Sequence, residues 1–370
     1  MKKSICVGIG LLSILLAVGI GLVSVSMRGN TNVEVTAMSY SKFPSDVRLE
    51  SEGFAIDDEL IRYPFRIRQQ GDYVYVLDLH GSENFCHLFR KDNLKSVVSF
   101  AQRGNGPQEV LQAISMDVFS EDSIWVYDTH KREVTRWGYS AGQEKVSLQE
   151  CVHIKDKMTH SANCAWGGDS LFFFTDRSGV NRVLECNTRG EVTDRIGTIP
   201  TGRQVDNNKL GTLAQAWNSY VSYNPNKRLL AVVTQLGDVV EVYNLQEGTN
   251  KVLRGPMGEP EYQTTRKGWA VPTGIMGYSD VEVTDNYIYA VFHGRSFKDI
   301  AKNPEGTPDG GEYIHVYSYE GAPVCRMILD RAIYGIDVDE ENGIIWATDV
   351  NSEEQIVKYR LPDVLKINMP

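Results

Sequence analysis

The stretch RGNGPQE, residues 103–109, has the residue types of a phosphate cradle: two glycines, an arginine, a proline and a glutamate. A Walker loop also needs a lysine and a Ser/Thr at the start of a helix, and none follows here. The stretch reads instead as a tight crossing between structural units, with Gly104 and Gly106 supplying φ > 0 and Pro107 supplying rigidity. Arg103 and Glu109 are then the loop side chains able to meet a ligand. RGPMGEP (254–260) is a second crossing of similar chemistry. GYSAG (138–142) matches a nucleophile elbow formally, but that elbow needs a helix after it. QEKVSLQECVHI continues as a strand, which puts Ser140 in a hairpin turn. His80 and His130 each lie two residues beyond an aspartate, Asp78 and Asp128. At equivalent places in a repeat, the pair could hold a metal or a polar ligand; the aspartates themselves suit fixing the following turn through backbone amides.

The elements that would position these residues form an internal repeat. Six apolar strands, YVYVLD, SIWVYD, LFFFTD, LLAVVT, YIYAVF and IIWATD, recur at about 50 to 58 residues. That period belongs to propeller blades or a similar array. Near-continuous apolar runs suit strands buried on both faces. Each is preceded by a shorter strand and an Asp/Asn/Gly turn, as in FRIRQQGD or DVEVTDN, and followed by a third strand, as in HLFRKD or YIHVYSY. A fourth follows in five units. The last unit stops after QIVKYRLPDVL, which leaves an open outer edge. The segment DVRLESEGFAI, ahead of the first unit, can supply the missing strand. The expected fold is all-β: a six-bladed propeller of four-stranded antiparallel blades over residues 46–370, closed by an N-terminal strand.

Ahead of it, Lys2 and Lys3 precede an uncharged run from Ser4 to Met27. The run is close to the about 20 residues that cross a bilayer, and the lysines hold its start in the cytoplasm. Residues 1–28 therefore read as a transmembrane or signal helix and 29–45 as a linker, with the propeller outside the cytoplasm, periplasmic or secreted after cleavage. Cys6 precedes nearly all of the apolar region that should come before a lipidated cysteine. Five further cysteines (Cys86, Cys151, Cys164, Cys186, Cys325) show no zinc spacing and suit small core residues. A net charge of −10 argues against a nucleic-acid partner.

RGNGPQE, YAVFHGRS (289–296) and IYGIDVDEENGIIWATDVNSEEQIVKYRL (333–361) resemble the TolB-like six-bladed propellers of bacterial cell envelopes, over roughly Asp46 to Leu361. The resemblance implies binding or scaffolding in the envelope and carries no agreed catalytic residues. Many relatives look like lipoproteins with a cysteine just after the signal, a pattern this chain lacks.

The starts of the first strands should line the channel mouth: Tyr63, Gln112, His160, Asn163, Trp217, Asn218, Tyr220, Tyr278, Asp280 and Tyr334. Aromatics with amides suit stacking on a sugar or holding a peptide; Arg295, in YAVFHGRS, joins the loop candidates. No cofactor is expected under this reading, and the partner is an envelope protein, peptide or glycan. The alternative is a divalent-metal hydrolase acting on lactone-like or sugar substrates. It needs several converging carboxylate, Asn or His ligands, for which Asp280, His160 and Asn218 are available.

Overall fold

The computed structural model describes residues 21–23, 34–56, 60–156, 161, 163–168 and 171–366. Its organisation follows from the second strand of each repeat. Tyr73–Asp78 and Leu229–Thr234 are buried at every position, and a strand apolar on both faces is stable only between two other layers. Six antiparallel sheets satisfy this by packing face to face around one axis. Blade 1 comprises Pro64–Gln70, Tyr73–Asp78, Asn84–Arg90 and Ser96–Gln102. Blade 2 comprises Ala113–Ser120, Ser123–Asp128, Glu133–Ser140 and Lys145–His153. Blade 3 comprises Cys164–Trp166, Leu171–Thr175, Val183–Asn187 and Val192–Ile196. Blade 4 comprises Ser219–Asn224, Leu229–Thr234, Val239–Asn244 and Thr249–Arg254. Blade 5 comprises Tyr278–Val283, Ile288–Phe292, Gly311–Tyr317 and Pro323–Ile333. Blade 6 has Ile336–Asp339, Ile344–Thr348 and Ile356–Arg360, with Glu52–Phe54 antiparallel to the last of these in the fourth place.

The N-terminal segment does more than occupy that place. Glu34–Ser39 runs parallel to Thr249–Arg254 on the rim of blade 4. Asp46–Leu49 runs parallel to residues 326–329 on the rim of blade 5. The chain thus passes along three consecutive outer edges before it begins blade 1. Within the stretch read as a linker there is therefore a strand, and DVRL and EGF of one predicted strand belong to different blades. Gly21–Val23, inside the apolar run, is a short strand on Glu34–Ser39, not helix. The rest of that run lies outside the described residues. Among the described residues no helix is long and apolar enough to cross a membrane.

Aromatic pairs fill the gaps between blades: Tyr73 on Tyr139 between blades 1 and 2, and Trp125 stacked on Trp166 at 4.2 Å between blades 2 and 3. Such pairs contribute about 0.5–1.5 kcal/mol beyond their area. Blades 3 and 4 add a buried ion pair to such a contact, Phe173 on Tyr223 at 4.6 Å. Arg182 Nε donates to Glu241 Oε1 at 2.6 Å, and its other nitrogens reach the Trp217 carbonyl, Ser219 and Thr234. Glu241 Oε2 accepts from the Tyr243 hydroxyl at 2.7 Å. The five cysteines of the propeller are free thiols, and all but Cys151 are buried.

Antiparallel alternation puts the blade-to-blade crossings and the second-to-third-strand loops on one face, here the upper face. Its longest additions are the helix Leu210–Ala216, the hairpin Tyr262–Thr264/Ala270–Pro272, and the helix Phe297–Lys302.

Candidate functional site

Every innermost strand has one edge with no strand beside it, so its N–H groups need other acceptors. Side chains of the preceding blade supply them. Asp117 accepts from Trp166 N, Asn163 from Val221 N, Ser222 from Val283 N, Asp280 from Ile336 N, Glu282 from Val338 N and Asp337 from Gln69 N, at 2.8–3.1 Å. Between blades 1 and 2, Arg68 pairs with Asp117 at 3.3 Å. The polar first strands are thus a ring of inter-blade staples lining the axis.

Within this ring lies a cavity of about 260 Å³. It runs from Arg66 toward the lower face, where Phe119, Pro225 and Asn226 are exposed. Burial raises the Glu282 carboxyl well above the ordinary range, and Asp337 adds to it. Asp337 is raised chiefly by burial too, with Arg68 and the Gln69 N–H working against the shift. Burial opposes charge on Arg68, but Asp117, Asp280, Asp337 and Glu282 outweigh it and keep it protonated.

The upper end is shut. The Arg66 guanidinium, 2% exposed, lies over Phe65 at 3.9 Å, Tyr220 at 4.9 Å and Tyr334 at 5.8 Å. It is pinned to Asp280 at 3.5 Å and to the Ser279 carbonyl at 3.0 Å. Above it, Tyr63 packs on His80 and Tyr334, and its hydroxyl donates to Asp309. Asn218 donates to Gln235 at 2.6 Å, and Gln235 to the Tyr220 hydroxyl at 3.4 Å. The structure therefore gathers Tyr63, His80, Asn218, Tyr220 and Tyr334 at the mouth.

It separates the others. Tyr278 and Asp280 are two residues apart, yet a register shift between them turns them to different surroundings. Tyr278 is fully buried between blades 4 and 5, away from the mouth, and bonded to Asp238. Asp280 is 4% exposed, with Oδ2 taken by Ile336 N and Oδ1 by Val281 N and Arg66. Trp217 is buried beneath Arg182, and Asn163 is a staple. Gln112 is half-buried, its carbonyl accepting from Thr129 N. Arg295 donates to the Pro308 and Gly310 carbonyls and pairs with Glu312. His130 is exposed at the rim, its backbone N–H held by Asp128. Asp78 likewise accepts from the amides of Arg62, Tyr63 and His80. His160 lies outside the described residues. Among the described residues no group of three or more His, Cys, Asp or Glu is set to hold a metal ion.

The RGNGPQE crossing is a corner that holds itself. Glu109 Oε2 accepts from Gly106 N at 2.6 Å, Lys131 Nζ bonds the Gly106 and Glu109 carbonyls, and Arg103 reaches the Gly81 carbonyl. Neither Gly104 nor Gly106 has positive φ, contrary to the expectation from sequence. Glycine is required by crowding instead: a Cβ on Gly104 would lie 2.1 Å from Glu109 Oε2. Gly104→Ala must therefore expel the carboxylate and should cost about 1–2 kcal/mol, as should Glu109→Ala. In urea titrations the double variant should lose little more than either single one. Additive losses would mean the two do not act through that contact.

Sequence reasoning missed Arg66, Arg68, Asp117, Glu282 and Asp337. Their signal was present as polar residues at alternate positions of the first strands (FRIRQQ, SMDVF, SDVEV, IDVD). It also missed Trp269, 59% exposed at the tip of the upper-face hairpin.

A stapled ring of six blades, plugged above and hollow below, defines a six-bladed β-propeller. Residues 42–341 match the TolB-like 6-blade propeller-like family, and the chain belongs to it. Among solved structures it is similar to a putative exported protein from Bacteroides fragilis, with TM-score 0.53, 12% identity, and 86% of this chain and 99% of that one covered. A duf4221 family member from Bacteroides vulgatus gives TM-score 0.52, 11% identity and coverage of 92% and 97%. Virginiamycin B lyase from Staphylococcus aureus gives TM-score 0.47, 11% identity and coverage of 85% and 99%. No curated protein matches the chain.

Proposed function

We propose that the protein is a non-catalytic binding module of the bacterial cell envelope whose upper face receives a peptide, protein or glycan. The observation that carries this reading is the built-up upper face. The helix Leu210–Ala216 braces the hairpin Tyr262–Pro272 through Thr212 to the Gly268 carbonyl at 2.6 Å and Gln215 to Ala270 N at 3.1 Å. That bracing holds Trp269 and Val271 toward solvent, 59% and 46% exposed. A rigid hairpin presenting a bare indole costs solubility unless something covers it, and an indole suits a sugar ring or a peptide side chain. The aromatic mouth at Tyr63 and Tyr334 extends the same chemistry toward the axis. In this reading Asp280 and its neighbours hold the ring together, and the mouth residues contact ligand.

The test is binding of full-length protein to immobilised envelope glycans and peptides, compared with a Trp269→Ser variant. Loss of the indole should weaken the productive interaction at least about tenfold, the usual scale for a central aromatic contact. Equal binding by both proteins across every probe would sink the assignment of this face.

A further inference from the structure

Neighbouring blades diverge outward, so the gap between two sheets widens toward the rim. Between blades 4 and 5 this gap is crossed by residues 40–46 of the N-terminal segment, and a second cavity of about 540 Å³ remains beneath the crossing. Its size falls in the about 300–1,000 Å³ range of small-molecule sites.

The inner wall is a stack of rings. His315 lies between Phe292, stacked at 4.4 Å, and Phe43 at 4.5 Å. Behind it, the hydroxyls of Tyr40, Tyr278 and Tyr317 and the carboxyl of Asp238 bond one another at 2.8–3.4 Å, with His315 Nδ1 joined to Tyr278 and Tyr317. That network fixes the wall and is internally satisfied. His293, also lining the cavity, is not: it is 6% exposed, and neither ring nitrogen has a hydrogen-bond partner among the described residues. Arg295 Nη2, in the same lining, is buried without a hydrogen bond, which is costly and points to a missing partner in the cavity it shares with the His293 ring. Burial, with help from Arg295, keeps this ring neutral, its pKa lowered to about 3, so it offers one donor and one acceptor.

The rim carries three cations. Arg326 forks onto Asp46 at 2.6 and 3.0 Å, and Arg295 pairs with Glu312 at 2.9 Å. Lys42, exposed on the crossing segment, has no ion-pair partner among the described residues. One uncommitted ammonium and one imidazole donor suit a carboxylate. A phosphate would call for more donors, and the Arg326 fork is already occupied by Asp46.

We propose that this cavity binds a small aromatic or heteroaromatic carboxylate, its ring against Phe43 and Phe292, its anionic group at Lys42 and a ring heteroatom at His293. The site is independent of the upper-face reading, since Trp269 does not line it.

The test uses the full-length protein with indole-3-acetate as probe and indole-3-acetamide as its uncharged twin, titrated by calorimetry. The acid should bind saturably and at least about tenfold tighter than the amide, a gap of about 1.4 kcal/mol. Lys42→Met, at an exposed position without an ion-pair partner among the described residues, should reduce the acid to the affinity of the amide. His293→Gln should weaken both, and bound acid should slow amide hydrogen exchange across residues 40–46. Equal affinities for acid and amide, no saturable binding of either, or an acid affinity untouched by Lys42→Met would each overturn the proposal, whether or not the His293 variant folds.

Discussion

Arg182→Met should destabilise the propeller by about 3–5 kcal/mol, one of the two largest single-residue effects expected in it. The substitution strands Glu241, a carboxylate 0% exposed between blades 3 and 4 whose only cationic partner among the described residues is Arg182. It also frees the Trp217 carbonyl and the Ser219 and Thr234 hydroxyls from the guanidinium. The loss comes mostly from the abandoned charge, which sets the sign of a second measurement. Replacing both partners by apolar residues, Arg182→Met with Glu241→Leu, should cost clearly less than Arg182→Met alone, because no uncompensated ion is left behind. What remains is the Tyr243 hydroxyl deprived of Glu241, beside the Trp217, Ser219 and Thr234 groups deprived of the guanidinium. Urea unfolding of the two variants decides the matter. A double variant as unstable as the sum of its parts would mean that packing, not charge, governs this interface.

The second large effect has the opposite sign. Asp337→Asn should stabilise the protein at neutral pH by on the order of 1–3 kcal/mol. Asp337 and Glu282 share the axial cavity, and burial holds both carboxyls above their ordinary pKa. An acid whose pKa is higher in the folded chain than in the unfolded one is bound by its proton more tightly when folded. Its stabilising share is complete below about pH 4, near the unfolded value, and is lost as pH rises through the folded value. Asparagine keeps a carbonyl oxygen for the Gln69 N–H and has no charge to bury. The advantage of the variant should therefore be small near pH 4 and grow toward pH 7.5. Denaturation at the two pH values checks this, and an offset independent of pH would rule out the buried charge as its source. Glu282→Gln should behave alike, since Val338 N again keeps its acceptor.

Most of the blade architecture could be read from the chain because second strands such as Tyr73–Asp78 are buried on both faces and so are apolar at every position. A run of that kind is conspicuous without any knowledge of its neighbours. The rim strand Glu34–Ser39 was not legible: a strand half-buried from residue 35 to 38 carries no strong pattern, and its partner, Thr249–Arg254, lies some two hundred residues away. The mouth was legible in part. Tyr63 and Tyr334 fall where strand alternation puts them, whereas Tyr278 does not, because the irregular register beside Asp280 breaks the alternation. No local motif announces such a shift. Asp280 looked like the lone acid of a ligand site because the sequence does not show the neighbouring blade's unpaired N–H, and that N–H is what the carboxylate serves. The cavity between blades 4 and 5 was hidden for the same reason. Lys42 is more than two hundred residues from His293 and Arg326 along the chain and meets them only once the N-terminal segment has crossed the gap.

That segment has a mechanical consequence. Because the chain runs along the rims of blades 4, 5 and 6 before entering blade 1, tension applied at its beginning reaches the pairing of Gly21–Val23 with Glu34–Ser39 first and the hydrogen bonds between Glu34–Ser39 and Thr249–Arg254 next. The joint at Glu52–Phe54 feels nothing until two rim strands have been stripped in turn. A tether attached ahead of residue 34 would thus pull on a sacrificial flap, and the six sheets would ride behind it unstrained.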